Sequence, residues 1–76
     1  MDIKVLGPGC AKCKATVDLI DRVVSEAGKP VALEKIEDMR RIVGFGVMTA
    51  PAVVIDGKVV HRGSVPSRDQ VLAWLG

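Results

Sequence analysis

The sequence predicts an α/β fold with the element order βαβαββα. Three observations carry that expectation. Short β-branched runs recur at Ile3–Leu6, Val31–Ile36, Ala52–Ile55 and Lys58–His61. One long segment after Cys10 has helical rather than strand periodicity. An Asp-Gly pair at 56–57 joins two of the runs in the manner of a tight hairpin. With 76 residues, 49% hydrophobic and 26% charged, the chain reads as one globular domain over residues 1–76.

Each element has a local cause. Ile3-Lys4-Val5-Leu6 is a short apolar run stopped by Gly7-Pro8-Gly9, as expected of a first strand. From Ala11 the period lengthens, and Cys13, Val17, Ile20, Val24 and Ala27 recur at helical spacing. Gly28 supplies the stop for this helix, and Pro30 follows it. Val31–Ile36 reads as a second strand. Glu37–Val43 reads as a short helix turning Met39, Ile42 and Val43 inward, ended by Gly44 and Gly46. The hairpin comes next, since a type I′ turn needs positive φ and Gly57 adopts it at no steric cost. Ser67-Arg68-Asp69-Gln70 fits a capping box, with Pro66 before it. Val71, Leu72, Trp74 and Leu75 then give the last helix its apolar face.

Composition narrows the function classes. The formal net charge is only +2, and the basic and acidic residues are interspersed. No basic patch suggests a nucleic-acid partner, and one Trp, one Phe and no Tyr offer no base-stacking surface. No apolar run approaches the roughly 20 residues of a membrane span. The first residues read as a strand rather than a leader peptide, so the expected compartment is the cytoplasm.

Chemistry is concentrated at Cys10-Ala11-Lys12-Cys13, the only two cysteines of the chain. A structural staple is disfavoured, because cytosolic disulfides rarely persist and a bridge over two intervening residues closes a very short loop. Structural zinc needs four ligands, and His61 alone cannot complete the set. A thiol attacks only as thiolate. Cys10 falls where the first strand has ended and the helix begins, beside free N–H groups and the positive end of the dipole. Lys12 and Lys14 add positive charge there. Cys13 lies one turn inside, on the face continued by Val17 and Ile20. Cys10 is therefore the expected nucleophile. Cys13 is the resolving thiol, placed to attack a mixed disulfide formed at Cys10. The competing reading uses the same two thiolates to carry a soft metal or metalloid, for which two ligands suffice.

With this element order and this motif, the sequence resembles the thioredoxin superfamily. Within it, the chain is similar to the very small thioredoxin- or glutaredoxin-like redox-active disulfide proteins of archaea and bacteria. The resemblance covers essentially all 76 residues and includes Thr49-Ala50-Pro51 before the hairpin. It implies a four-stranded mixed sheet with helices on both faces, a cis proline at Pro51, and Ala50 as the residue pairing with substrate backbone. Thr49 accompanies it, and Gly63 resembles the glycine that keeps that side of the site open. Where typical thioredoxins have an aromatic residue before the first cysteine, this chain has Gly9, which would admit a protein substrate. Ala11-Lys12 stands in place of Gly-Pro between the cysteines.

The resemblance implies a cytoplasmic, monomeric dithiol–disulfide oxidoreductase or electron carrier in cell redox homeostasis. Its substrates would be protein disulfides, recharged by a thioredoxin-reductase-like partner or a small-thiol reductant. No cofactor and no resident metal are expected. Small metal-carrier domains normally run βαββαβ and end in a strand, whereas this chain ends in a helix. Met39, Phe45 and Met48 read as packing residues. His61 reads as a solvent-facing strand residue, and Trp74 as helix packing.

Overall fold

A computed structural model describes residues 1–76. The strands are β1 (Asp2–Leu6), β2 (Ala32–Ile36), β3 (Ala52–Ile55) and β4 (Lys58–Arg62). The helices are α1 (Ala11–Ala27), α2 (Met39–Gly44) and α3 (Arg68–Leu75). The order is the predicted βαβαββα. The sheet runs β2-β1-β3-β4. β1 pairs in parallel with β2 and antiparallel with β3, and β3 pairs antiparallel with β4. Parallel neighbours need a long crossover, which α1 provides. Antiparallel neighbours need only a tight turn. Asp56 (φ 49°) and Gly57 (φ 84°) supply it with the two positive φ values of a type I′ hairpin. No helix is long and apolar enough to cross a membrane.

Alternation along the strands divides the core between two faces. Ile3, Val5 and Val53 face α1 and α3, where they meet Ile20, Val23, Val71 and Leu75. Leu6, Ala52 and Val54 face α2 and its flanks, with Ile36, Ile42 and Val47. Helices thus cover both faces of a mixed sheet, as expected.

Several details differ from the sequence reading. The buried stripe of α1 is Cys13, Thr16, Ile20 and Val23. Val17 and Val24 are half-buried beside it, and Ala27 is exposed. Thr16 can be buried because its hydroxyl donates to the Lys12 carbonyl at 2.8 Å. α2 begins at Met39, since Asp38 is its N-cap and accepts from the Arg40 N–H at 2.9 Å. A six-residue helix turns only one side chain fully inward, and that is Ile42. Met39 and Val43 are exposed, as is Met48. His61 is half-buried, with its ring 5.9 Å from that of Trp74 and Nε2 3.0 Å from the Ser64 carbonyl. Leu72 lies on the outer side of α3.

The helix ends follow their sequence signals. Gly28 takes φ 66° at the end of α1, and its N–H donates to the Val24 carbonyl at 3.0 Å. Ser67 caps α3 reciprocally with Gln70. The Gln70 N–H donates to Ser67 Oγ at 3.1 Å, and the Ser67 N–H donates to Gln70 Oε1 at 2.8 Å.

Candidate functional site

β1 delivers the chain to the sheet's end, and Gly7-Pro8-Gly9 turns it into α1. The helix starts on sulfur. Cys10 is its N-cap in extended conformation (φ −70°, ψ 167°), and Cys10 Sγ accepts the Cys13 N–H at 3.3 Å. Ser, Thr, Asp or Asn usually fill this role through oxygen. Here one helical N–H, that of Cys13, is directed at a sulfur instead. No acidic residue lies in the first turn of α1, while Lys12 and Lys14 do. Dipole, N–H donors and charge therefore all favour an anion at this point.

Cys10 and Cys13 are joined as a disulfide with their Cα atoms 5.1 Å apart, inside the ordinary range for such bonds. The two sulfurs have unequal surroundings. Cys10 is exposed, whereas Cys13 is only 4% exposed, on the inward stripe of α1.

Gly7 shapes the buried side. A Cβ built on Gly7 would overlap Cys13 Sγ, lie 3.1 Å from Cys13 Cβ and 3.6 Å from Ala50 Cβ. Only a glycine lets the end of β1 pass between Cys13 and Ala50. The Gly7 N–H donates to the Ile36 carbonyl at 2.9 Å, tying this loop to the end of β2.

The segment before β3 forms the opposite wall. The Ala50–Pro51 peptide is cis, and Pro51 is fully buried while Thr49 and Ala50 are exposed. The Gly63 N–H donates to the Pro51 carbonyl at 2.8 Å, and Gly63 takes φ 90°. A Cβ on Gly63 would stand 4.0 Å from Thr49 Oγ1. Thr49, Ala50, Pro51 and Gly63 thus form one wall, which Gly7 joins to Cys13. Gly9 lies on the other side, with φ 87°, where a Cβ would come within 2.9 Å of Glu37 Oε2. Lys12 is exposed in the first turn of α1 and enters no ion pair.

Two of these neighbours carry no signal in the sequence. Gly7 reads as one more loop glycine until the approach of Cys13 is known. Glu37 reads as the start of a helix. Only the pairing of β1 with β2 brings its carboxylate beside Gly9. For metals, the cysteine pair is the one soft donor set, and no group of three or more Cys, His, Asp or Glu surrounds it.

The whole chain has relatives. A family model described as a thioredoxin domain matches residues 1–76. A thioredoxin of Methanothermobacter thermautotrophicus is 31% identical over 71 residues, covering 93% of this chain and 92% of the relative. A thioredoxin of Methanocaldococcus jannaschii is 30% identical over 69 residues, covering 91% of this chain and 79% of the relative. The family match spans β1, the cysteine-bearing helix and the hairpin as one unit. A full-length family match and a disulfide capping the first helix lead to the same result: the chain belongs to the thioredoxin-domain family and is a dithiol–disulfide oxidoreductase.

Proposed function

We propose that Cys10 attacks substrate disulfides, that Cys13 resolves the mixed disulfide, and that residues 1–76 suffice as a single functional domain. The observation that carries this reading is the unequal exposure of two bonded sulfurs at a helix start: Cys10 outside, Cys13 only 4% exposed. In the reduced protein, the Cys10 thiolate attacks one sulfur of a protein disulfide. The substrate's S–S bond breaks, and its other sulfur leaves as a thiolate that takes a proton from water. Cys13 then loses its proton and attacks Cys10 Sγ. The intermolecular bond breaks, the substrate leaves fully reduced, and the Cys10–Cys13 disulfide forms. Two electrons pass from protein to substrate.

The wall opposite the cysteines serves the substrate chain. Exposed Thr49 and Ala50 offer backbone groups for brief strand-like pairing, while buried Pro51 presents no N–H donor there. Gly9 and Gly63 keep the approach to Cys10 free of side chains on either side. Lys12, with the helix N-terminus, favours the Cys10 thiolate.

The partners in general are disulfide-bearing proteins and a reductant that restores the dithiol. A thioredoxin-reductase-like partner or a small thiol would supply those electrons in the cytoplasm, to a monomer. The roles are separable by trapping. A Cys13→Ser variant mixed with a disulfide substrate should accumulate a covalent complex through Cys10, visible on a non-reducing gel. Cys10→Ser should accumulate none. Trapping by the Cys10→Ser protein instead would exchange the two roles.

A further inference from the structure

Two of the three methionines stand in water where packing alone would bury them. Met48, in the loop before β3, is 93% exposed, and Met39, at the start of α2, is 57% exposed. Both line one groove of about 170 Å³, together with the exposed Val43. The groove extends to Pro8, Thr49 and Ala50, and no charged side chain lines it. Exposed apolar side chains gathered in one place mark an interaction face. Flexible thioethers suit such a face, because they adapt to partners of different shape. The groove is continuous with the Thr49–Ala50 wall of the redox site, and Met48 is the residue next to that wall in the chain. The third methionine, Met1, precedes β1. A full strand length, about 20 Å, separates it from the redox loop.

We propose that Met48 is a peroxide modification site, and that its sulfoxide slows exchange with protein disulfides while leaving the chemistry of Cys10 intact. The inference rests on Thr49 and Ala50 serving the substrate chain. A substrate paired with them must lay its flanking residues over the groove, where the Met48 thioether meets apolar side chains. Hydrogen peroxide transfers one oxygen atom to the exposed sulfur. The O–O bond breaks, an S–O bond forms, sulfur gives up two electrons and the peroxide leaves as water. The product is polar and carries a strong acceptor. Covering that acceptor with an apolar substrate side chain strips its water and offers no donor in return. Thiols at ordinary concentrations do not reverse the change without an enzyme. Reduction of the Cys10–Cys13 disulfide therefore leaves it in place, and the dithiol returns to work with an altered substrate face.

The test treats the disulfide form of the protein with dilute hydrogen peroxide, since the bonded cysteines are then shielded from it. Peptide mass spectrometry should show one added oxygen on Met48 before Met39. The disulfide is then reduced, and attack is timed on insulin, as a protein disulfide, and on a small aromatic disulfide. Treatment should slow the insulin reaction by about tenfold, the scale set by covering one unpartnered polar group. The aromatic disulfide should react as before. For each variant the readout is the ratio of treated to untreated rate, so any change in the starting rate cancels. Met48→Leu should hold that ratio near one, while Met39→Leu should still lose most of its insulin rate. The inference is overturned if Met48 resists oxidation, if the oxidised protein keeps its insulin rate, or if Met48→Leu loses as much as wild type. Equal slowing with both disulfides also overturns it, because Cys10 itself would then be affected. Thr49→Glu tests the underlying reading by placing a charge on the wall directly. If it too leaves the insulin rate unchanged, substrates do not use the wall and both ideas fall. If it slows insulin while the Met48 sulfoxide does not, the wall stands and only the modification site is lost.

Discussion

At Gly7 a missing side chain decides whether the disulfide fits. Its Cα lies so close to Cys13 that a single added methyl would overlap Cys13 Sγ. Gly7→Ala should therefore cost about 1–3 kcal/mol, the usual penalty for overpacking. The cost should depend on redox state. In the oxidised protein, Cys13 Sγ is held by its bond to Cys10 and cannot move aside. In the dithiol it can turn to another rotamer. Thermal melts of both forms should show the larger loss in the oxidised one, and equal losses would mean that the backbone yields instead. Legibility differs from residue to residue for the same reason. Cys10 and Cys13 stand out because two rare residues share one helical turn. Thr49-Ala50-Pro51 stands out because proline restricts its surroundings. Gly7 and Glu37 do not, because their importance lies in what another strand brings beside them.

Elements bounded by local chemistry were readable, and those bounded by packing were not. The Asp56-Gly57 hairpin and the Ser67–Gln70 capping box each depend on a few adjacent residues, and both occur as the sequence suggests. Ser67→Ala should cost about 1 kcal/mol through the lost cap, seen as a fall in melting temperature. α2 was harder, because its apolar residues number more than a six-residue helix can bury. On α1, half-buried Val17 and Val24 compete with the true inward stripe, and hydropathy underrates Thr16 while its hydroxyl bond is unknown. α1 and α3 are also tied at the surface. Arg68 donates to both Glu26 carboxylate oxygens, at 3.1 and 2.7 Å. That hydrogen bond, aided by the Arg68 charge, holds the Glu26 carboxyl below its ordinary value of 4.5. The sign follows from linkage: a depressed carboxylate stabilises the fold above its unfolded value and stops doing so as pH falls through its folded one. Glu26→Gln should thus melt slightly below wild type at pH 7, and the gap should close as pH is lowered beneath 4.5. Both side chains are exposed, so the gap is small and salt should narrow it.

Across the whole molecule, the sheet separates two unequal layers. On one face α1 and α3 press Ile20, Val23, Val71 and Leu75 onto Ile3, Val5 and Val53. On the other, α2 buries only Ile42, with Val47 following it in the loop and a surface Arg41–Glu34 pair tying it to β2. That loop leads through Thr49 and Ala50 to buried Pro51, so the weaker layer carries one wall of the redox site. Proteins open locally where few buried contacts hold an element. Ile20→Ala and Ile42→Ala remove similar side chains, each costing about 2–5 kcal/mol if the surroundings cannot collapse. Their consequences should differ in kind. Ile20 joins α1 to the sheet and to the neighbours of α3, so its loss should lower the melting temperature by about 8 °C or more. Amide protection should then fall throughout β1 and β3. Ile42 is the only buried side chain of a short helix, so α2 should detach while the α1–α3 face stays folded. Its loss should concentrate faster amide exchange in residues 39–50, with a smaller shift in melting temperature. It should also slow attack on protein disulfides more than attack on a small aromatic disulfide, because under the proposed function only a protein substrate pairs with Thr49 and Ala50. Hydrogen exchange read by mass spectrometry distinguishes the two variants. Uniform loss of protection in Ile42→Ala would show that both layers unfold as one unit, and that the wall beside Cys10 is as firmly held as the cysteine-bearing helix.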